Sequence, residues 1–385
     1  AVADVAGGAG LSGGASMTEQ ELSAYIQAIR PADEAAMEAA RRRQAQLAKP
    51  PGSLGQLEEI SIRLAGVTGQ VCPAMGKCRV AVFAADNGVV AEGVSCTPPA
   101  VTMQQAVNMT FRKTGMSAMA AAFGDDVSVV DVGIDGDVPP VGVLDRKVRR
   151  GTGDIAREDA MTRQQVLDAM AAGMEQAARA RADGVTALGI GEMGIGNTTT
   201  SAAVLAALTG ADIEAVTGRG GGLTDEGFLR KKEVLRQALA LHRPDGNDVI
   251  DVLAGVGGLD LAAMTGAFLG CAHERVPAAV DGFISIAAAL CAVRLCPAVR
   301  DVLFLSHDSY EVGYRIAAET LGLQPCLRLG MRLGEGSGCP LLFRVLEGAC
   351  GVMRGMATFG EASIEDSYLD EICLLYTSDA ADERS

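Results

Sequence analysis

The chain has no tryptophan, and aromatic side chains make up only 4% of its 385 residues. So few aromatics speak against an aromatic-rich β-sandwich. Positive charge is also scarce: 33 Lys plus Arg stand against 48 Asp plus Glu, a net of −15. Nucleic acids and anionic membranes require basic clusters that neutralise phosphates, so neither is an expected partner. One small phosphate site remains compatible with this balance. Histidine is limited to His242, His273 and His307. The ten cysteines include no Cys-x2-Cys pair; Cys72 with Cys78 and Cys291 with Cys296 come nearest. No metal is therefore expected, and the thiols read as buried and reduced in a cytoplasmic protein.

Two long apolar runs need separate treatment. Residues 252–272 carry only Asp260 as a charge, and residues 278–293 carry Asp281. The first is long enough to span a bilayer, which takes ~20 mainly apolar residues. It is, however, rich in Gly and Ala, holds an acid, and lacks basic and aromatic flanks. Both runs read as helices buried inside a globular protein.

What is abundant points to a packed fold. Hydrophobic residues make up 49% and charged residues 21%, enough to exclude general disorder. Residues 1–16 are low in complexity and read as a disordered extension. Helical patterns follow at 18–29 and 32–47. Pro50-Pro51-Gly52-Ser53 breaks the second, with Ser53 placed to cap a helix over 54–68. Short apolar runs at 79–84, 127–132, 185–190, 278–280 and 302–305 then alternate with helical patterns. Those helices fall at 163–181, 198–208, 226–241, 259–271, 284–295 and 310–321. This rhythm predicts an α/β fold, a Rossmann-like parallel sheet flanked by helices. The large catalytic domain is expected over 70–337. A small all-helical domain is expected from 17–69 and 338–372, with a C-terminal helix at about 340–356.

Parallel sheets bind ligands beyond the carboxyl ends of their strands, so the loops there carry the chemistry. Gly194-x-Gly196-Asn197-Thr198-Thr199 lets backbone N–H groups approach a ligand, with an Asn/Thr cluster capping a helix whose N-terminus favours an anion. It has neither the lysine of a Walker loop nor the dinucleotide spacing. By itself it suits a phosphate cradle and an ordinary strand–helix turn equally. Thr198, Gly220 and the downstream cations Arg219, Lys231 and Lys232 are candidates for the same anion; the lysine pair also suits a solvated helix face. Glu335 and Glu192 each sit among glycines, in Gly334-Glu335-Gly336 and Gly191-Glu192-Met193-Gly194. Little bulk beside a carboxylate lets it face a ligand, and desolvation there raises its pKa. An exposed loop glutamate is the plainer alternative for each. His307 suits a base or a hydrogen-bonded structural role.

In this order the loops resemble the nicotinate-nucleotide–dimethylbenzimidazole phosphoribosyltransferase family. The resemblance runs from about residue 18 to 363. It is carried by 49–55 (KPPGSLG), Ala85-Asp86-Asn87-Gly88-Val89 with Glu92-Gly93-Val94-Ser95, 191–199, 217–222, 306–309 and Arg332-Leu333-Gly334-Glu335-Gly336. It implies that Glu335 is the catalytic base and Glu192 a second active-site acid. Gly194, Gly196, Asn197, Lys231 and Ser309 would hold the nucleotide phosphate and ribose. Ser95 and the stretch Met103-Gln104-Gln105 would line the aromatic-base pocket. One departure is Asn87, where the family usually has a histidine; Asn cannot titrate near neutral pH. The implied substrates are nicotinate mononucleotide and a benzimidazole-type base, with no cofactor, in a homodimer.

That chemistry suits the residues. The pyridinium nitrogen of nicotinate mononucleotide is cationic, so nicotinate departs without a proton and no general acid is required. The incoming benzimidazole must lose its N–H proton, which a desolvated carboxylate such as Glu335 can take. Two competing readings remain: another phosphate-handling α/β enzyme, and a relative that binds base or nucleotide without turnover. Beyond about residue 371 the sequence departs from the family. Its LLYTSDAADE stretch resembles translated sequencing-adapter sequence, so residues 373–385 are expected to be non-native and without function.

Overall fold

The computed structural model describes residues 16–367 and 369. The expected tail at 373–385, and all but Ser16 of the expected extension, lie outside the described residues.

Six parallel strands form one sheet: β1 (Cys78–Ala85), β2 (Asp126–Gly133), β3 (Val143–Asp145), β4 (Ala187–Met193), β5 (Ala278–Val280) and β6 (Leu303–Leu305). Their order is β3-β2-β1-β4-β5-β6. The fold is the expected α/β type, with helices flanking the sheet. β4 is buried at every position and β1 at all but Arg79, as strands covered on both faces must be. After β1 the chain builds outward through β2 and β3, then returns to lay β4 on the other side of β1. Sheets of this kind bind ligands at their carboxyl edge, near such a reversal. The register sets Phe83 beside Glu192 and Ala84 beside Met193, so the two strands deliver their loops at the same level. β3 is not legible in the sequence, because two half-buried residues and the exposed Asp145 at a sheet edge make no apolar run.

The helices largely follow the expected patterns, including Arg163–Ala182, Asn197–Thr209, Asp225–His242 and Cys339–Gly355. Five more, Val101–Thr110, Gly115–Phe123, Ile213–Val216, Val249–Val256 and Phe359–Ala362, do not appear among the patterns read from sequence. The apolar run 252–272 breaks at Gly257-Gly258 into Val249–Val256 and Leu259–Glu274, both with buried apolar faces. Among the described residues no helix is long and apolar enough to cross a membrane. Two local expectations are corrected. Ser53 caps nothing: the next helix is Gln56–Thr68, entered through Gly55 at φ 54° with no side-chain cap. Cys96 is exposed, unlike most of the other described cysteines, because it lies on the loop after the short 3-10 turn Gly88–Glu92.

One large apolar core runs through the sheet and its covering helices. A second, small cluster of Ala36, Ala40, Leu47, Ile62, Ala65 and Met353 joins N-terminal helices to Cys339–Gly355.

Candidate active site

A cavity of about 260 Å³ opens beyond the carboxyl ends of β4, β5 and β6. Glu192 and Met193 end β4, and the chain turns at Gly194–Gly196 straight into the helix Asn197–Thr209. Asp281 and Gly282 follow β5, and Ser306, His307 and Ser309 follow β6. The loop holding Gly334 and Glu335 closes the site from a segment that belongs to no strand.

Glu192 belongs to β4 rather than to a loop, and the glycines around the two glutamates serve the contact between that strand and the Glu335 loop. A Cβ on Gly191 would meet Gly336 N at 2.6 Å and Gly336 Cα at 2.7 Å, so loop and strand pack backbone to backbone. The Glu335 N–H thereby reaches Glu192 Oε1 at 3.2 Å. Glu335 itself is held at φ 62°, a left-handed conformation uncommon for a residue with a side chain. Strain of this kind persists only where the surroundings impose it.

Burial dominates the electrostatics at this end. It pushes the Glu192 carboxyl up to about 8, against a hydrogen bond from Asn197 that favours the ionised form. It also raises the Glu335 carboxyl, and the Gln105 side chain works against that rise. Glu335 Oε2 is buried without a hydrogen-bond partner. Asn197 Nδ2 donates to Glu192 Oε2 at 2.5 Å and to Asp260 Oδ2 at 2.9 Å, bridging two buried acids. Burial pushes Asp260 up to about 6 and raises Asp281 as well.

The other end holds a buried lysine with the Glu311 carboxylate near it. Lys231, 0% exposed, donates from Nζ to Thr198 Oγ1 at 2.8 Å and to the Gly218 carbonyl at 3.0 Å. Burial lowers its ammonium to about 8. Two of the ammonium's three donors are thus used, and the Glu311 carboxylate nearby favours its charged form. Gly196, at φ 93°, is the N-cap, and no side chain caps the helix behind it. The expectation that the Asn/Thr cluster caps this helix is thus corrected. Asn197 is drawn to the acids and Thr198 to Lys231, which leaves the helix N-terminus facing the cavity.

Of the residues singled out from sequence, Ser95, Gln105, Glu192, Gly194, Gly196, Asn197, Thr198, Arg219, Gly220, Ser309 and Glu335 all line this one cavity. Lys231 reaches it through Thr198. Arg219 is already engaged with the Leu223 carbonyl and Asp225, and stacks on Phe228. Lys232 pairs with Glu214 instead. Gln104 lies elsewhere: with Asp86, Asn87 and Met103 it lines a neighbouring cleft. Sequence reasoning passed over Asp260, Asp281 and Glu311. The first two were visible only as isolated acids inside apolar runs. Glu311 also lines the cavity and has a buried oxygen without a partner.

Fold and pocket together define an α/β enzyme with paired buried acids at one end of its site and a helix N-terminus with a buried lysine at the other. Residues 29–364 match a family model described as phosphoribosyltransferase. The nicotinate-nucleotide–dimethylbenzimidazole phosphoribosyltransferase of Clostridium perfringens strain 13 is 46% identical over 333 residues, 86% of this chain and 92% of the relative. The Geobacter metallireducens protein of the same name is 46% identical over 347 residues, 89% and 98%. The crystal structure of CobT from Thermus thermophilus superimposes with a TM-score of 0.84 at 44% identity, covering 86% of this chain and 100% of that one. The chain belongs to the nicotinate-nucleotide–dimethylbenzimidazole phosphoribosyltransferase family.

Proposed function

We propose that this enzyme moves the 5-phosphoribosyl group of nicotinate mononucleotide to 5,6-dimethylbenzimidazole or a related base, for the cobalamin lower ligand. The products are α-ribazole 5′-phosphate and nicotinate. The observation that carries the reading is the polarity of the pocket. Buried carboxylates gather at the end where a cationic sugar carbon would form, and Lys231 with the turn 194–196 stands at the end where a phosphate would sit.

Each proposed role follows from that geometry. Lys231, the Gly194–Gly196 turn and Ser309 hold the phosphate and ribose, with Arg219 and Gly220 on the same wall. Ser95 and Gln105 face the aromatic base. Glu335, the acid with an unpartnered buried oxygen, removes the benzimidazole proton as the other ring nitrogen attacks C1′. Attack from the face opposite nicotinate inverts the β nucleotide to an α product. Glu192, ionised, stabilises the positive charge developing at C1′. A free-enzyme value of about 8 leaves Glu192 largely protonated at neutral pH. The cationic pyridinium of the bound nucleotide favours the ionised form and restores the charge where it is needed. Holding both rings on opposite faces of one sugar supplies further rate through orientation.

We also propose that the enzyme works as a homodimer in the cytoplasm. The family resemblance supports the dimer, and nine described cysteines, all free, fit a reducing compartment. The division into a large domain at 70–337 and a small helical one at 17–69 and 338–372 is likewise our reading, supported by the separate cluster around Met353. The deciding experiment is mass-spectrometric turnover with nicotinate mononucleotide and a panel of benzimidazoles, purines and phenols. Release of nicotinate matched by an α-linked nucleotide is expected. Binding without turnover would overturn the reading.

A further inference from the structure

We infer that Asp281 is a positioning residue: its carboxylate clasps the 334–338 loop and thereby fixes Glu335 toward the pocket. Asp281 leaves β5 at the carboxyl edge of the sheet and is 2% exposed. Its Oδ2 accepts the Gly336 N–H at 2.9 Å, and its Oδ1 accepts the Gly338 N–H at 2.7 Å. Glu335 stands next to this clasp, and its own N–H goes to Glu192 Oε1. Three amides of the loop are therefore held by two buried carboxylates. A buried carboxylate accepting charge-assisted hydrogen bonds is a rigid anchor, because an unmet partner there carries the full desolvation cost.

Asp281 is itself held on several sides. Its N–H meets Ser285 Oγ at 3.2 Å, and Ser285 Oγ in turn donates to the Ile190 carbonyl at 2.8 Å. Ser306 Oγ donates to the Asp281 carbonyl at 3.2 Å. His307 Nδ1 stands 3.9 Å from Asp281 Oδ1. The loop approaches so closely that a Cβ on Gly338 would meet Ser306 Oγ at 2.3 Å and His307 Nδ1 at 2.4 Å. Glu335 needs such a clasp, since φ 62° is not a conformation it would keep unaided. A proton acceptor displaced by even ~1 Å loses much of its rate advantage. The phosphate end shares none of these hydrogen bonds.

This inference rests on Glu335 being the base, so the test is a double-mutant cycle that scores both claims. Wild type, Asp281→Asn, Glu335→Gln and the double variant are compared at saturating nicotinate mononucleotide and dimethylbenzimidazole. An amide at 281 sets an NH2 against one of the two loop N–H groups. In Asp281→Asn kcat should fall by ~30–100-fold, with KM for nicotinate mononucleotide changed by less than about threefold. On the Glu335→Gln background the same substitution should add less than about threefold, because a misplaced loop has no base left to misplace. Full additivity, or a loss confined to KM, overturns the role of Asp281. Near-wild-type turnover of Glu335→Gln alone overturns the assignment of the base instead. If Asp281→Asn does not yield folded protein, Asp281→Ser, smaller and still able to accept one N–H, is run through the same cycle against the same criteria.

Discussion

At the acidic end of the pocket all four carboxylate oxygens of Glu192 and Asp281 accept hydrogen bonds from the protein, three from one loop's backbone and one from Asn197. At the phosphate end the buried Lys231 spends two of its three donors, with the Glu311 carboxylate near it. The contrast separates two tasks. Saturated acids fix a geometry, and an unsaturated cation receives a ligand. Glu335 stands where the saturation stops, with an oxygen left open in a buried, desolvating setting. Mutations at the acidic end should therefore slow chemistry, and those at the phosphate end should weaken binding.

The strongest test of that division is Glu335→Gln, which keeps shape but accepts no proton. At saturating substrates kcat should fall about 10²–10⁴-fold while both ligands still bind. Turnover close to wild type would erase the contrast. The same residue sets a pH signature. Burial raises its carboxyl, and a base works only when deprotonated. Activity should therefore decline as pH falls through a point above the ordinary glutamate range of ~4.3. The residual activity of Glu335→Gln should lose the limb set by residue 335 and keep only the one set by Glu192, which must also be ionised.

Glu192→Gln comes next, with kcat lower by about 10–100-fold and nucleotide affinity lowered by a smaller factor, since the nucleotide's cation and the ionised Glu192 favour each other. It also has a reading on stability. The folded value of about 8 lies above the ordinary value of 4.5, so the native state binds the extra proton between them. The stability this contributes is complete below the lower value and is lost as pH rises through the upper one. Urea midpoints at pH 5 and pH 8 should differ less in Glu192→Gln than in wild type. An unchanged difference would mean that the carboxyl is not desolvated as described.

Lys231→Met tests the opposite end. It preserves bulk and removes the charge, so KM for nicotinate mononucleotide should rise about tenfold while kcat stays within about threefold. A loss confined to kcat would show that the lysine acts on chemistry and that the division of tasks is misdrawn.

Much of this arrangement is legible in the sequence. The interior strands could be read because parallel strands covered on both faces carry unbroken apolar runs. Edge strand β3 could not, having two half-buried residues and an exposed one. Glu192 and Glu335 stood out through their glycines, though for an incomplete reason. The glycines serve the contact of Gly191 with Gly336, which depends on two segments far apart in sequence. Asp260 and Asp281 are visible in the sequence but carry no sign of a role, because each sits inside an apolar run, where periodicity reports only burial. Their partners, Asn197 and the 336–338 amides, are set by topology.

The smallest expected effect sharpens the border of the site. Met103, Gln104 and Gln105 resembled a single stretch of pocket lining, but they lie on the helix Val101–Thr110. Successive helical residues are rotated by about 100°, so neighbours do not share one narrow face. Gln105 lines the cavity with Glu335, whereas Gln104 and Met103 line the cleft beside Asp86 and Asn87. Gln104→Ala should leave kcat and both KM values within about twofold of wild type. Gln105→Ala should raise KM for dimethylbenzimidazole and lower kcat, by about tenfold in kcat/KM, because it removes a polar wall of the base site and a hydrogen-bonding neighbour of Glu335. Steady-state kinetics of the two variants, run side by side with the base as the varied substrate, decide the matter. Equal losses in both would move the border of the base site across the helix and join the second cleft to the first.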